Sequence, residues 1–300
     1  MAGLTNEIRG FLASQGFESS IQVRGGLEVI ATYALTSKDA RTILPLRIDA
    51  ESPEEAAARS RTAYAVVEAL SVGNGYPLII TEDRWNNQRD MMQQRILAHM
   101  EAFVPVYARN CEIRRIDKGT AAEFLNRTHS YGDASCRYRY GLFLKRYTGA
   151  RKIQPGKGPQ PGELVAVATF SNARRWNKEG KVIRSHEWTR YASLPGVRIN
   201  GGMGKFLKEF IKDANPDDIM TYADLEWSEG DVYRQLGFSL EGRKSPVVFH
   251  IDPQWNRHPV HNEKALPEHH CGDERQLRHD NLFYQNFGSN KFRLKLTEYR

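Results

Sequence analysis

Apolar positions along the first hundred residues switch between helical and strand spacing. Leu4, Ile8, Phe11 and Leu12 recur three and four apart, which predicts an amphipathic helix with Thr5 as its N-cap and Gly16 as its stop. Two strand-like runs follow, LEVIATYAL (27–35) and RTILPLRID (41–49), joined by a polar turn. Ser52, Pro53 and Glu55 then form a helix start: a capping hydroxyl, a proline at the first helical position and the carboxylate of a capping box. After that helix come a strand, YPLIITE (76–82), and a long helix, NQRDMMQQRILAHMEAF. The order predicts a small, separate α/β domain over residues 1–105.

A second pattern starts between about 100 and 112 and defines a second domain, 106–300. CEIRRI reads as a strand, and Thr120 with Glu123 as a capping box for a short helix. RYGLFLKRY, LVAVATFS (164–171) and VIRSHEWTRYASL read as further strands, with an exposed hairpin loop over the glycine-, proline- and lysine-rich residues 148–163. VRINGGMGKFLKEFIKD (197–213) places three glycines before a helix. That helix sets Phe206, Leu207, Phe210 and Ile211 on one face and Lys205, Lys208, Lys212 and Asp213 on the other. A strand, DIMTYADLEW (218–227), a short helix, SEGDVYRQLG, and a strand, PVVFHI, follow. Beyond about residue 252 the chain turns polar, and NLFYQNFGSNKFRLKL predicts a terminal hairpin turning at Gly288, Ser289 and Asn290. No internal repeat is present.

Composition narrows the class. The chain has 300 residues, 40% hydrophobic and 26% charged, enough apolar mass for one large or two smaller cores. No apolar run approaches the roughly 20 residues that cross a bilayer, so no membrane partner is expected. The charged, helix-patterned N-terminus does not fit a secretory signal. Three widely spaced cysteines point to a reduced, cytoplasmic protein. His269, His270 and Cys271 stand together, but no second group has ligand spacing, so no metal is expected. The net charge of +7 favours an anionic partner, DNA or RNA or a phosphorylated cofactor. Basic and aromatic residues interleave over 137–152, a pattern that serves either a nucleic-acid groove or a strand with a solvated basic face.

The glycine turn carries the clearest candidate chemistry. Glycine permits a tight turn and a close approach, and the first amides of a helix have no internal partner and favour an anion. Residues 198–204 therefore read as a phosphate cradle or as a tight corner. Neither Gly-Lys-Ser/Thr nor Gly-x-Gly-x-x-Gly is present. In the first domain Asp49, Glu51, Glu82 and Asp83 end strands, as metal-dependent nucleases of the restriction-endonuclease type arrange acids. No Asp/Glu-x-Lys triplet accompanies them, and such carboxylates also cap turns.

The run from the glycine turn through TYADLEW to VYRQLGF resembles the GNAT superfamily of N-acetyltransferases over roughly 112–250. In that family a Gln/Arg-x-x-Gly-x-Gly/Ala turn holds the coenzyme A pyrophosphate, and a later helix reads Tyr-x-x-x-Gly-Phe. Arg198, Gly201, Gly202 and Gly204 approximate the first signature, with Met203 where a small residue belongs; Tyr233, Gly237 and Phe238 approximate the second. The order of LNRTHSYG, YRYGLFL and LVAVATFS further resembles phage DNA-modification transferases of the Mom type.

The resemblance implies a GNAT-like mixed central sheet flanked by helices and an acyltransferase using acetyl-CoA or a related acyl-CoA. Arg198, Ile199, Asn200, Gly201, Gly202, Met203, Gly204 and Lys205 would contact the cofactor. Tyr233 would be the acid, Asp224 or Glu187 the base, and Asn126 and His129 substrate contacts. A nucleic-acid base amine would be the acceptor, flipped out if in a duplex. The residues alone also allow structural roles: Tyr233 as a buried anchor, Asp224 or Ser228 as a helix cap, Glu187 as a solvated strand carboxylate, and Asn126–His129 as a helix C-cap. The alternatives are a degenerate, non-catalytic GNAT-like protein that binds nucleic acid, and a nuclease in the first domain.

Overall fold

A computed structural model describes residues 3–34, 39–146, 158–178, 180–260 and 282–297. The chain is a mixed α/β protein of two compact units. One comprises residues 1–101, 223–229 and 243–290, the other 102–222, 230–242 and 291–300. The linear reading leaves 223–229 and 243–290 with the second domain; their contacts cluster them with the first unit. His269, His270 and Cys271 lie outside the described residues, as do residues 148–157 of the expected hairpin loop. Among the described residues no helix is long and apolar enough to cross a membrane.

In the first unit, α1 (Leu4–Ser14) is followed by β1 (Ser19–Arg24), β2 (Leu27–Tyr33), β3 (Ala40–Leu46), α2 (Pro53–Asn74) and β4 (Leu78–Thr81). The strands form a sheet in that order, antiparallel until β3 and β4, which run parallel across α2. Ser52 caps α2 as its sequence requires, accepting from the Glu55 amide at 3.2 Å. Thr5 is not the α1 cap: Gly3 is, and the Thr5 hydroxyl donates to Glu28 at 2.6 Å. The long helix expected over 87–103 is the shorter α4 (Arg89–His99), and a separate short helix, α3 (Glu82–Asn87), precedes it across Gln88 (φ −130°).

Three of the four carboxylates of the nuclease reading, Asp49, Glu82 and Asp83, are engaged elsewhere. Asp49 pairs with Arg59, and Glu82 accepts from the Ile48 amide at 2.8 Å. Asp83 pairs with Arg257, whose guanidinium also meets Glu226 at 2.8 Å. Arg84 reaches Glu226 at 3.2 Å and the Tyr284 hydroxyl donates to the same carboxylate. This network is buried, so each charge needs its partner.

The second unit opens with β5 (Val104–Tyr107), a 3-10 turn (Ala108–Asn110), β6 (Cys111–Arg115), α5 (Lys118–Thr128), β7 (Tyr138–Leu144), β8 (Leu164–Phe170), β9 (Arg174–Lys178), β10 (Lys181–Ser193), β11 (Val197–Asn200), α6 (Gly202–Ala214) and β12 (Asp218–Asp224). Next along the chain are α7 (Asp231–Gln235) and β13 (Ser239–Lys244), then β14 (Val248–Ile251), β15 (Arg257–Pro259) and β16 (Leu282–Gln285) of the first unit, and β17 (Ser289–Lys295). The main sheet runs β13-β17-β12-β10-β8-β7-β6, with β9 on β10. β10 and β12 are parallel, joined through β11 and α6, while β6, β7, β8 and β10 are antiparallel neighbours.

Helices cover both faces of this sheet. On one, Phe210 of α6 stacks on Phe170 with centroids 3.9 Å apart and meets Tyr138 and His186 edge-on at 5.2 Å. On the other, Ala121, Phe124 and Leu125 of α5 pack on Val167 and Ala192. Asp117 rather than Thr120 caps α5, accepting from the Thr120 amide at 2.9 Å. The expected terminal hairpin does not form: β16 pairs with β14 in a three-stranded sheet, and β17 joins the main one. Because β7 is interior, Tyr138, Arg139, Tyr140 and Phe143 alternate between the two faces of the sheet rather than forming one stripe.

One end of the β10–β12 pair is locked by charge. Asp218 is fully buried and accepts from the Ser185 hydroxyl and from Arg293 at 2.6 Å. Arg293 also reaches Glu241 at 2.6 Å, and Lys291 meets the same carboxylate at 2.7 Å. Asp218→Ala leaves Arg293 facing a buried gap, and urea unfolding is expected to show a loss of about 3–5 kcal/mol. Arg293 above all, then Lys291, holds the Glu241 carboxyl at about 2, below its ordinary 4.5. A depressed carboxyl stabilises the fold above its unfolded pKa and ceases to as pH falls through the folded one. Stability should therefore drop between about pH 4.5 and 2, by less in Glu241→Gln, as followed by circular dichroism.

Candidate active site

β10 and β12 pair for only three residues: Ser185 with Asp218, His186 with Ile219, and Glu187 with Met220. Beyond Glu187 the strands part. The Thr221 hydroxyl bridges the start of the gap, donating to the Trp188 carbonyl at 3.1 Å. The fork opens at the carboxyl ends of two parallel strands, the edge where open α/β sheets hold ligands.

A bulge accompanies the fork. Trp188 lies opposite Phe170 and Arg190 opposite Thr169, so Thr189 is an extra residue in β10. Trp188 and Tyr191 both face α6 in consequence; their rings meet at 6.4 Å, and Tyr191 meets Phe206 at 6.1 Å. Glu187 and Arg190 share the opposite face.

The glycine turn is built as a close approach. β11 runs parallel to β5, with Ile199 beside Val106. Gly201 turns the chain at φ 76°, a left-handed conformation that suits glycine. At Gly202 a Cβ would lie 2.7 Å from Ile199 Cγ2 and 3.1 Å from the Tyr191 hydroxyl. At Gly204 the nearest atom, Leu236 Cδ2, is 3.4 Å away. No side chain caps α6 and no acid occupies its first turn, so the amides of Gly202, Met203 and Gly204 are left for an external acceptor.

The neighbouring residues divide. Arg198 and Asn200 are exposed, with the Arg198 guanidinium 5.2 Å from the Phe103 ring, while Ile199 is buried. Met203 is half-buried. Lys205, expected to reach an anion, instead donates to the carbonyls of Ala108, at 2.8 Å, and Cys111. Its ammonium satisfies the backbone where the 3-10 turn meets β6.

Tyr233 packs against Trp188, Phe238 and Phe292 at centroid distances of 6.2, 5.7 and 5.6 Å. Burial raises its phenol above the ordinary 10, opposed by a hydrogen bond with Thr221. The hydroxyl is therefore protonated at neutral pH and lies at the residue that bridges the fork. The α7 helix that carries it is capped by Gly230 at φ 90°, not by Ser228 or Asp224.

Of the two base candidates, Glu187 begins the fork, half-buried, and no hydrogen bond or ion pair engages its carboxylate among the described residues. Asp224 belongs to the first unit, where it pairs with Arg84 at 3.6 Å and accepts from the Glu226 amide at 2.9 Å. Asn126 and His129 shape the turn after α5. Asn126 accepts from the Asp133 amide at 2.9 Å, and His129 Nδ1 from the Tyr131 amide at 3.1 Å.

Trp188, Thr189, Arg190, Tyr191 and Thr221 complete the fork and escaped the sequence reading. The bulge that arranges them breaks the period-two pattern on which strand reading depends. Among the described residues no three His, Cys, Asp or Glu side chains gather as a metal site.

No family model matches the sequence. No curated protein matches it either. The crystal structure of Eis1 from Mycobacterium abscessus superposes with a TM-score of 0.32 at 15% identity, covering 47% of this chain and 34% of that one. The match thus spans about a third of that protein's length.

The two helix glycines should respond oppositely to a methyl group. Gly202→Ala forces Ile199 and Tyr191 apart and should cost about 1–3 kcal/mol by urea unfolding. Gly204→Ala has room and should be neutral or stabilising, by up to about 1 kcal/mol.

Proposed function

We propose that the second unit is a GNAT-like acyltransferase that uses acetyl-CoA or a related acyl-CoA. The observation that carries this reading is the fork: two parallel strands part beside Tyr233, and the helix that joins them starts on an uncapped glycine turn. The bound cofactor would supply an acyl thioester. The amides of Gly202, Met203 and Gly204 would hold its pyrophosphate, with Arg198 and Asn200 exposed beside them.

The chain's own groups supply the proton transfers. Glu187 takes a proton from the acceptor amine as the new C–N bond forms. Tyr233 gives its proton to the sulfur as the C–S bond breaks. Glu187 is preferred to Asp224 as base because the Asp224 carboxylate is already committed to Arg84. The net charge of +7 makes a nucleic-acid base amine the first acceptor to test.

Acetyl-CoA at a hundred times its Kd should stabilise the full chain by about 2.7 kcal/mol, seen as a raised melting temperature. An unchanged melting curve at millimolar acetyl-CoA sinks the reading; a shift with DNA alone would favour a non-catalytic nucleic-acid-binding protein. In thiol-release assays, Tyr233→Phe should lower kcat about a hundredfold or more with little change in KM for acetyl-CoA. Mass spectrometry of nucleosides from cells expressing the wild type or Tyr233→Phe tests the acceptor, and identical profiles exclude a base amine.

A further inference from the structure

Across three adjacent strands, Arg139 of β7, Thr169 of β8 and Arg190 of β10 lie directly opposite one another. Direct cross-strand partners share a face. This is the α5 face, since Tyr138, Phe170 and Trp188, the neighbours on each strand, face α6. The bulge at Thr189 adds Glu187 to the same face, and the segment before β7 brings Asp133 and Cys136. The charges of Arg139, Asp133 and Arg190 all act on the Cys136 thiol, and those of Glu187 and Asp133 on Arg190.

Several polar groups of this cluster lack a strong partner. Thr169 is fully buried, and its hydroxyl has only the Cys136 thiol, a weak partner, beside it. The buried Nε of Arg139, a donor, and Oδ1 of Asp133, an acceptor, have no hydrogen-bond partner. Arg139 forms no ion pair among the described residues. Arg190 spends Nε on the Gly132 carbonyl at 3.0 Å and Nη1 on that of Thr189 at 2.9 Å, which fixes its fork and leaves Nη2 over. Buried donors without strong acceptors are costly, and those of Arg139, Thr169 and Arg190, in line across β7, β8 and the fork strand β10, call for a ligand.

We infer that Arg139, Thr169 and Arg190 form an oxyanion pocket that holds a phosphate or carboxylate group of the acceptor, placing the acceptor's amine at Glu187. Two guanidiniums flanking a hydroxyl match the planar, multi-oxygen geometry of either group. Arg190 is preset by its two carbonyl contacts, so little order is lost when the anion arrives. The pocket lies on the α5 face of the sheet, opposite the face that α6 covers. The inference rests on the transferase reading for the role of Glu187, but the anion site is testable without it.

The full chain, free of acyl-CoA, is titrated with O-phosphoethanolamine, β-alanine and ethanolamine while the arginine Nε–H resonances are followed by NMR. The Arg139 resonance is the one lost in Arg139→Lys. One anionic probe is expected to move it and to bind at least about tenfold more tightly than ethanolamine. The probe that does so tells phosphate from carboxylate. Thr169→Val should weaken that probe several-fold without lowering the melting temperature. The pocket is refuted if neither anionic probe outbinds ethanolamine in the wild type, a result that needs no variant to fold. It is refuted equally if Thr169→Val binds the probe unchanged. Because acetyl-CoA is absent, a melting shift with that cofactor and no anion binding would remove the pocket and leave the transferase standing.

Discussion

A single buried carboxylate sets the geometry on which the candidate site depends. Asp218 sits at the start of β12 with no exposure, and it accepts from Ser185 on β10 and Arg293 on β17. An unpaired charge there would be prohibitively costly, so the three strands must converge around it. Convergence at one end makes divergence at the other tolerable. After three paired residues β10 and β12 separate, and backbone groups that would have bonded each other become available to Thr221 or to a ligand. The lock and the opening are thus two ends of one arrangement: a strongly specified register over 185–187, then release.

The aromatic layer does the complementary work for α6. Phe170, Phe210, Tyr138 and His186 meet as a contiguous group, and Trp188, Tyr191 and Phe206 extend it toward the glycine turn. Such rings bury large area with defined edges and faces, which fixes the helix laterally. Lys205 fixes it axially through two carbonyls. The first-turn amides therefore belong to a helix whose position is determined by packing elsewhere. A preorganised anion site needs that property, because it spends no ordering free energy when the anion binds.

Elements with a two-sided pattern were legible from residue type alone. β8, β10, α2 and α6 follow their alternation or their caps, and the glycine turn is where the sequence puts it. The misses share physical causes. β1 and β13 are almost wholly exposed, so no apolar alternation marks them. β16 and β17 look like a hairpin because hairpin reading sees only local turn chemistry. At Gly288 (φ 76°) a Cβ would lie 2.3 Å from the Lys244 carbonyl, so the glycine serves a crossing of chains rather than a two-strand turn. Caps were misplaced at Thr5, Thr120 and Ser228 because several short polar residues compete at each helix start, and distant partners decide between them. Asp83 and Asp224 looked chemical because both end strands; their arginine partners are far away in sequence.

The bulge at Thr189 shows how much can hang on chain length rather than on residue identity. In an unbroken strand, positions 187 and 190 project to opposite sides; here one supernumerary residue brings them together. The bulge absorbs that residue: loss of the Thr189 codon would leave Glu187 and Arg190 two positions apart and still on one face, whereas an extra residue that no bulge absorbed would turn the rest of β10 over, sending Arg190 among the aromatic rings and Tyr191 among the charges. Relatives of this protein that differ in length by one residue within β10 would thus keep this arrangement of faces where a bulge takes up the difference, and carry a different chemistry on the same fold where none does.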